Sequence, residues 1–243
     1  MKLLIVLITY NRLDYTKRTL NNLRDSISDG ADYFLCVCDN NSSDGTQKYL
    51  KSLEKRRMID KLILNPENYY PGKATNIGWE QSLKHYPEAT HLMRLDNDMH
   101  FEKDWDVAAE SYFQAIPELG QLGLDDDALN HPSAALRVLQ INGKEINPWP
   151  GCVGGPSIVR RSIYDTGVRY EELEWDDGRN TPFQEDSRFS RLVMNRGYMV
   201  GHMTDRLAWT FANEDNWSDY PDYYLRTMAN RGYDENVKKI KKL

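Results

Sequence analysis

The sequence predicts an α/β fold in which helices flank a mostly parallel central sheet. Short apolar runs typical of strands alternate with segments of helical periodicity over the first hundred or so residues. Strand–helix–strand connections of this length imply parallel strands and right-handed crossovers, which are typical of nucleotide-binding sheets. A length of 243 residues fits one α/β domain with insertions about as well as two small domains, and of the two we expect a single domain over residues 1–243.

The expected elements follow in order along the chain. Four strands of the first half are predicted from short apolar runs: 3–8, 33–38, 61–64 and 91–95. Three helices are predicted between them: 13–27, about 44–57, and about 73–86, which Pro87 ends. The second half is less regular. Its expected elements are strands at 119–124 and 198–203 and a helix that begins near Phe183.

The composition argues against some classes of protein. The formal net charge of −6 argues against a protein whose main task is to grip a nucleic-acid backbone. The apolar start at residues 3–8 is far too short for a membrane span, so it is predicted to be a strand and not a targeting signal. Three cysteines, of which Cys36 and Cys38 are expected on opposite faces of a strand, give no disulfide framework. We therefore expect a reducing, cytoplasmic location.

An apolar run that ends in two acids is the most informative stretch of the sequence. Residues 91–95 form a predicted buried strand, and Asp96 and Asp98 follow it at the edge where open α/β sheets bind ligands. Two carboxylates there can hold Mn²⁺ or Mg²⁺, whose coordination substrate phosphates usually complete. The alternative is an ordinary turn, because Asp and Asn side chains bond readily to nearby backbone.

Three further polar loops follow predicted strands and are expected at the same edge. They are Thr9-Tyr10-Asn11-Arg12, the segment 39–46 and the segment 65–76. Asp39 can accept a hydrogen bond from the imide N–H of a uracil-type base or from a ribose hydroxyl, and Tyr10 offers a ring for stacking. Lys73 supplies positive charge for a diphosphate. Turn and cap chemistry also explains each loop alone, and it is their coincidence that favours a ligand site.

A second acidic pair, Glu185 and Asp186, lies at the predicted start of a helix. Acids in the first turn of a helix complement its dipole, which is the structural explanation. A positioned carboxylate can also act as a general base toward a hydroxyl and contribute roughly 10²–10⁴-fold to a rate. The residues alone leave both explanations open.

Taken together, these motifs resemble those of the GT-A glycosyltransferases of the family 2 type. The resemblance covers residues 1 to about 200 and rests on an ordered set: Thr9-Tyr10-Asn11-Arg12, Asp39 to Thr46, Asn68, Gly72, Ala74 to Asn76, Asp96-Asn97-Asp98, Gly154-Gly155 and Glu185-Asp186. It implies a GT-A-like sheet and an enzyme that transfers a hexose from a UDP-sugar to an acceptor hydroxyl with inversion. It assigns residues 1–100 to the nucleotide sugar, 101–220 to the acceptor and 221–243 to a C-terminal helical tail.

The resemblance also implies roles for single residues. Asp39 resembles the family's base-recognising acid, Asp96 its ribose or diphosphate contact, and Asp98 its ligand for Mn²⁺ or Mg²⁺. Asp186 resembles the general base, and Glu185 would orient the acceptor or the loop. Further contacts with the donor are expected from the polar loops: Thr9, Tyr10, Asn11, Arg12, Asn41, Lys73, Asn76 and Asn97.

One position departs from the family pattern. Family members often carry a metal-binding His about a dozen residues after the glycine that corresponds to Gly197, and that position here is near Trp209. His202 lies earlier, in the predicted strand 198–203, and can either take over as a metal ligand or be a buried residue. In the second case the metal site rests on Asp98, donor phosphates and water.

Aromatic residues are dense in the second half: Trp149, Trp175, Trp209, Trp217, Tyr220, Tyr223 and Tyr224. Aromatic faces can cover the apolar face of a sugar ring, but we expect most of these residues in the core and at most two against a substrate. The basic run 238–242 is expected to be a solvated helix end.

Two other functions fit parts of the sequence. A sugar-nucleotide pyrophosphorylase would use the same sheet and a metal, but it should carry a glycine-rich loop after the first strand, and residues 9–12 contain no glycine. A degenerate domain that binds a nucleotide or a glycan without turnover is the other alternative, against which the presence of both Asp98 and Asp186 argues. Glycan, lipid-linked, protein and modified-base acceptors all present the required hydroxyl, so the acceptor stays open.

Overall fold

A mixed β-sheet with helices on both faces forms the body of the structure. The structure is a computed structural model and describes residues 1–124, 138–148, 153–172, 183–230 and 232–243. Two members of the aromatic set, Trp149 and Trp175, lie outside the described residues.

The first half alternates strands and helices as the sequence predicts. Its elements are β1 (Lys2–Thr9), α1 (Leu13–Ser26), β2 (Asp32–Asp39), α2 (Thr46–Lys55), β3 (Lys61–Leu64), α3 (Tyr70–Ser82) and β4 (His91–Asp96). Helix α3 begins and ends earlier than the predicted range 73–86. Pro71 lies in its first turn, where the missing N–H leaves no hydrogen bond unmade.

The second half contains many short elements. They are β5 (Met99–Phe101), α4 (Trp105–Ala115), β6 (Leu119–Gly123), β7 (Leu139–Ile141), β8 (Lys144–Asn147), β9 (Ser157–Arg160), α5 (Arg161–Asp165), α6 (Phe183–Met194), β10 (Met199–Met203), β11 (Ala208–Thr210), a 3₁₀ helix (Glu214–Asp219), α7 (Pro221–Asn230) and α8 (Asp234–Ile240). The expected elements at 119–124, 198–203 and Phe183 correspond to β6, β10 and α6. In the described part of the chain, every helix lacks the length and apolar character needed to cross a membrane.

The described strands form one sheet of nine strands in the order β3-β2-β1-β4-β9-β6-β10-β8-β7, and β5 pairs with β11 in a separate ribbon. Strands β3, β2, β1 and β4 are parallel. Strand β9 runs antiparallel to both β4 and β6, so β6 and β10 run in the direction of β4. The carboxyl ends of most strands therefore share one edge, where ligands bind in open α/β sheets.

Strand β1 is buried on both faces of the sheet. Leu3, Ile5 and Leu7 pack into the core cluster that contains the apolar face of α1, whereas Leu4, Val6 and Ile8 pack into the cluster that contains α3. A third cluster attaches the C-terminal elements to α1: Tyr15, Phe211, Trp217, Tyr224 and Ile240. The C-terminal helices therefore pack on the edge of the fold next to the start of α1.

Cys36 and Cys38 lie on the same face of β2, so the expectation that they point to opposite faces is wrong. Side chains alternate across a strand, and residues two apart therefore share a face. Both are buried free thiols whose Sγ atoms lie 3.9 Å apart.

Helix α3 approaches the sheet closely at Gly78. A Cβ atom at this position would lie 2.5 Å from Val6 Cγ1 and 2.9 Å from Cys38 Sγ. Both distances are below van der Waals contact, so a side chain at this position would push α3 away from β1 and β2.

We expect Gly78→Ala to lower the free energy of unfolding by about 1–3 kcal/mol, because the added methyl group overpacks the contact with β1 and β2. Without that contact, the same change would stabilise the helix by about 1 kcal/mol, since alanine has the higher helix propensity. Urea denaturation followed by circular dichroism measures the change, with Glu80→Ala on the exposed side of α3 as the control. A Gly78→Ala chain at least as stable as the wild type would contradict the close packing.

Candidate active site

A cavity of about 860 Å³ opens at the carboxyl edge of β1, β2 and β4. Its lining comes from six segments: 8–12, 40–44, 68–71, 94–98, 185 and 186, and 219–227. Eight of the predicted site residues are among the lining residues: Tyr10, Asn11, Arg12, Asp96, Asn97, Asp98, Glu185 and Asp186. The volume is that of a small-molecule site, for which roughly 300–1,000 Å³ is usual.

Arg12 is buried and bonds to the turn that carries the first acid pair. Its Nη1 donates to Asp98 Oδ2 at 2.8 Å, and its Nη2 donates to Asn97 Oδ1 at 2.6 Å. Its own backbone and that of Asn11 are left-handed, with φ of 57° and 53°, which turns the chain sharply after β1. The ring of Tyr223 from α7 lies 4.4 Å from the guanidinium. Burial raises the pKa of Asp98, and Arg12 opposes that shift.

Two of the predicted residues in this region hold loops together. Asn97 Nδ2 donates to the Asn11 carbonyl at 3.1 Å and to Thr16 Oγ1 at 2.9 Å. Thr9 Oγ1 lies 3.0 Å from the same Thr16 hydroxyl, and Thr9 is not among the lining residues. These bonds tie the loop after β1 to the turn after β4, so that both loops reach the cavity together.

Asp39 is fully buried at the end of β2. Its carboxylate accepts hydrogen bonds from the Ser42 N–H at 2.9 Å, the Ser42 hydroxyl at 2.5 Å and Gln47 Nε2 at 2.8 Å. The Ser42 hydroxyl in turn accepts from the Asn11 N–H at 2.7 Å. Asp39 thus organises the loop whose residues Asn40, Ser43 and Asp44 line the cavity, but its own carboxylate is not part of the lining.

Arg94 is a buried cation that faces three carboxylates. It lies on β4, two residues before Asp96, and its side chain is 4% exposed. Its Nη1 donates to Asp186 Oδ1 and lies 3.3 Å from Glu185 Oε1, while its Nη2 lies 3.6 Å from Asp96 Oδ1. Tyr170 covers the guanidinium at 5.2 Å from its ring centre. Arg94 therefore links the acid pair after β4 to the acid pair at the start of α6.

The two acids of α6 differ in their surroundings. Glu185 accepts a hydrogen bond from the Gly72 N–H at 3.0 Å, and its side chain is 4% exposed, compared with 18% for Asp186. Burial raises the pKa of Glu185 to about 7 and that of Asp186 to about 6, and Arg94 opposes both shifts. Asp186 is the more accessible of the two and is ionised at neutral pH, which suits a general base.

Two glycines leave room for these carboxylates. A Cβ atom on Gly72 would lie 2.5 Å from Glu185 Oε2, and one on Gly155 would lie 2.9 Å from Asp96 Oδ2. Both glycines belong to the segments on which the family resemblance rests. Glycine is needed at both positions of the family motif because any side chain would collide with a carboxylate.

The cavity lining has an excess of negative charge. Its charged residues are seven acids (Asp44, Asp96, Asp98, Glu185, Asp186, Asp219 and Asp222) and three bases (Arg12, Arg94 and Arg226). A nucleotide diphosphate is itself anionic, so its binding here calls for added positive charge. Asp96 and Asp98 offer the carboxylate oxygens that Mn²⁺ and Mg²⁺ prefer. Among the described residues, no three metal-binding side chains are grouped closely enough to hold an ion by themselves.

Four other predicted residues lie outside the lining of the cavity. Asn41 is exposed, and Lys73 Nζ lies 3.9 Å from Glu172 Oε2 and 4.3 Å from the ring centre of Tyr69. Asn76 donates to the Tyr170 carbonyl at 2.8 Å and accepts from its N–H at 3.1 Å. His202 is buried on β10, three strands from β4 and roughly 14 Å away at the usual strand spacing. The structure thus does not bring His202 together with Asp98.

Sequence reasoning missed Arg94 and one wall of the cavity. Arg94 interrupts an apolar strand, and a charge inside a buried run is a signal that can be found in a sequence. The wall comes from residues 219–227 and includes α7, which was expected to be part of a helical tail. Tyr220 and Tyr223 of the aromatic set line this wall, whereas Trp217 and Tyr224 are core residues.

Solved structures of sugar-transferring enzymes have the same fold as the chain. TarS residues 1–349 from S. aureus, in complex with UDP-GlcNAc, match with a TM-score of 0.65 and 16% identity, over 94% of this chain and 64% of that one. The mannosyltransferase PcManGT from Pyrobaculum calidifontis, in complex with GDP-Man and Mn²⁺, matches at 0.63 and 16%, over 93% and 60%. GalNAc-T7 with UDP, GalNAc and Mn²⁺ matches at 0.63 and 12%, over 84% and 42%. The predicted GT-A-like α/β fold is confirmed, and the chain spans less than two thirds of each of these proteins.

The family follows from the sequence match. The model of glycosyl transferase family 2 matches residues 4–167, which is more than half of the chain. The chain therefore belongs to glycosyl transferase family 2, and the predicted family is confirmed. No curated protein matches the chain in sequence.

We expect Arg94→Met to lower the free energy of unfolding by about 3–5 kcal/mol near neutral or higher pH, because the buried Glu185 and the partly buried Asp96 and Asp186 lose their cation. The loss should shrink as the pH falls and reach its minimum below about 6, because both acids protonate at a higher pH in the variant than in the wild type, where the pKa of Glu185 is about 7 and that of Asp186 about 6. Their folded-state pKa values lie above those of the unfolded chain, so acidification protonates these acids in the folded state and removes the need for a cation.

Urea titrations at about pH 8 and about pH 5 measure this difference on either side of both pKa values. Arg56→Met serves as the control, because Arg56 is exposed at the end of α2. An equal loss of stability at both pH values would show that the charge pairing of Arg94 is not its structural role.

Proposed function

We propose that this chain is a metal-dependent glycosyltransferase that moves a sugar from a UDP-sugar to an acceptor hydroxyl with inversion. The observation that carries the proposal is a single cavity in which Arg94 connects two acid pairs, Asp96 with Asp98 and Glu185 with Asp186. This combination suits sugar transfer, since one acid pair can hold a divalent ion that binds an anionic leaving group and the other can take a proton.

The loops at the sheet edge support a nucleotide-diphosphate sugar as the donor. Tyr10 and Tyr70 offer rings for a base, and Asn40 and Ser43 offer polar groups beside them. TarS is solved with UDP-GlcNAc and the mannosyltransferase with GDP-Man, and we choose UDP because of the resemblance of segment 39–46. In this proposal residues 1–100 bind the donor and residues 101–220 face the acceptor, and α7 adds a wall.

Asp98, with Asp96 beside it, would hold the divalent ion. When bound there, Mn²⁺ or Mg²⁺ supplies positive charge to the departing diphosphate. The excess of acids in the cavity lining supports this role, because Arg12 and Arg94 already pair with carboxylates.

Asp186 is the proposed base. It takes the proton of the acceptor hydroxyl while the acceptor oxygen forms a bond to the anomeric carbon and the bond from that carbon to the diphosphate breaks. Attack opposite the leaving group inverts the anomeric centre. Glu185 and Arg94 position the base: Glu185 is bonded to the Gly72 N–H, and Arg94 is bonded to Asp186.

We expect UDP to bind more tightly with Mn²⁺ than in EDTA, and we expect Asp98→Asn to remove this dependence, because an amide offers no anionic oxygen to the ion. Isothermal titration calorimetry of both proteins under both conditions measures the effect. Asp29→Asn, at an exposed site away from the cavity, should behave as the wild type does. Equal affinity of the wild type for UDP with Mn²⁺ and in EDTA would refute the metal role.

We expect Asp186→Asn to lower kcat and kcat/KM together by about 10²–10⁴-fold, with UDP affinity nearly unchanged, because the base acts only in the transition state. The wild-type kcat/KM should rise with pH through about 6, since Asp186 must be ionised, and this step should be absent in the variant. The measurement is UDP release from a UDP-sugar that the wild type turns over. Glu185→Gln is the matched control and should be milder.

A dead Glu185→Gln enzyme beside a near-normal Asp186→Asn enzyme would move the base to Glu185. Binding of UDP and UDP-sugars without any release of UDP would instead favour a degenerate binding domain over an enzyme.

A further inference from the structure

Arg226 is a cation of the cavity lining that has no ion-pair partner among the residues that the structure describes. The other two bases of the lining are committed, because Arg12 bonds to Asp98 and Arg94 faces three carboxylates. Arg226 is exposed, and it makes neither a hydrogen bond nor an ion pair with any residue in the described ranges. Because none of the described residues pairs with it, the Arg226 guanidinium is available to an anionic ligand.

The spacing along α7 places Arg226 on the face of the helix that lines the cavity. Residues 222, 223, 226 and 227 line the cavity, as expected for one face of a helix. The Tyr223 ring lies 4.4 Å from the Arg12 guanidinium, which bonds to Asp98 at 2.8 Å. Arg226 is one turn beyond Tyr223, about 5–6 Å away between Cβ atoms. Arg226 therefore lies on the face of α7 that carries Tyr223 to the Arg12–Asp98 pair.

Helix α7 and the two residues before it contact α1. The Tyr15 hydroxyl donates to Asp219 Oδ2 at 2.9 Å, and the Asp14 N–H donates to the Tyr220 hydroxyl at 3.3 Å. Tyr224 is 3% exposed and packs in the same cluster as Tyr15. Since α1 begins next to Arg12, these contacts fix α7 relative to the loop that reaches Asp98.

Lys73, which the sequence favours as the diphosphate contact, is engaged elsewhere. Its Nζ lies near Glu172 and over the ring of Tyr69, and Lys73 is not part of the cavity lining. Arg226 is therefore the better placed of the two cations.

We propose that Arg226 binds the diphosphate of the donor nucleotide and holds it as the leaving group. The proposal rests on the proposed function. A guanidinium can make two parallel charge-assisted hydrogen bonds to phosphate oxygens, a geometry that an ammonium group cannot match. The excess of acids in the lining makes this additional cation valuable, because it attracts the diphosphate without occupying the acids that would hold the metal.

Isothermal titration calorimetry with Mn²⁺ tests the proposal on the full chain, with UDP and uridine as ligands. Arg226→Gln should weaken UDP binding by about 10- to 100-fold, because it removes a charge-assisted contact, and should leave uridine binding unchanged. Arg226→Lys should fall in between, since it keeps the charge but loses the paired hydrogen bonds. The exposed Arg56→Gln is the control and should bind UDP as the wild type does, and Lys73→Gln tests the competing assignment and should weaken UDP binding less than Arg226→Gln.

Three results would overturn the assignment: an Arg226→Gln chain that binds UDP normally, an equal loss of UDP and uridine binding, or a larger selective loss in Lys73→Gln. These results presuppose that the wild type binds UDP. If the wild type binds neither UDP nor uridine with Mn²⁺, the proposed function itself fails, and the failure is visible before any variant is compared.

Discussion

Arg94 places a positive charge inside the fold, and the cavity is arranged around that charge. Removing a guanidinium from water is unfavourable unless carboxylates compensate for the lost hydration, and three of them do so here. Two of the three belong to α6, and the third, Asp96, is the last residue of β4. The position of α6 against the sheet therefore depends on charge pairing as well as on the apolar contacts of Phe189 and Val193 in the core.

The same charge reconciles two opposite demands on the cavity. Acids are needed at one end to hold a cation and at the other to accept a proton, yet acids placed close together in a buried site raise one another's pKa. Burial already raises the pKa values of Glu185 and Asp186, and without Arg94 both acids would be protonated at a higher pH still. Arg94 keeps a proton acceptor usable near neutral pH in a cavity lined largely by acids.

The first half of the fold is predictable because its signals are local. Strand β1 is a continuous apolar run that is buried on both faces, and α1 shows the helical spacing that packs against it. Strand β9 has no such signal: four residues insert between β4 and β6 from a distant part of the chain. The fold of the second half depends on such long-range pairings, which periodicity in a short window does not reveal.

In the candidate site, too, some residues could be predicted from local sequence signals and others could not. Asp96 and Asp98 could be located because they directly follow a predicted strand, and the cavity is at that edge. From residue type alone, Asp39 is as good a candidate for the cavity as Asp96 and Asp98. In the structure its carboxylate instead accepts hydrogen bonds from Ser42 and Gln47. The contribution of Arg226 depends on the docking of α7 through Tyr15 and Tyr224, and no local pattern encodes that contact.

The site depends on the absence of a side chain at Gly72 and at Gly155. Each glycine leaves a gap of the size of a methyl group, and a carboxylate oxygen of Glu185 or Asp96 fills it. The acids are thus confined by bare backbone on one side and by Arg94 on the other. Gly72 and Gly155 carry no charge, yet they determine the positions of the Glu185 and Asp96 carboxylates. A search for functional residues that considers only charged and polar side chains would miss both.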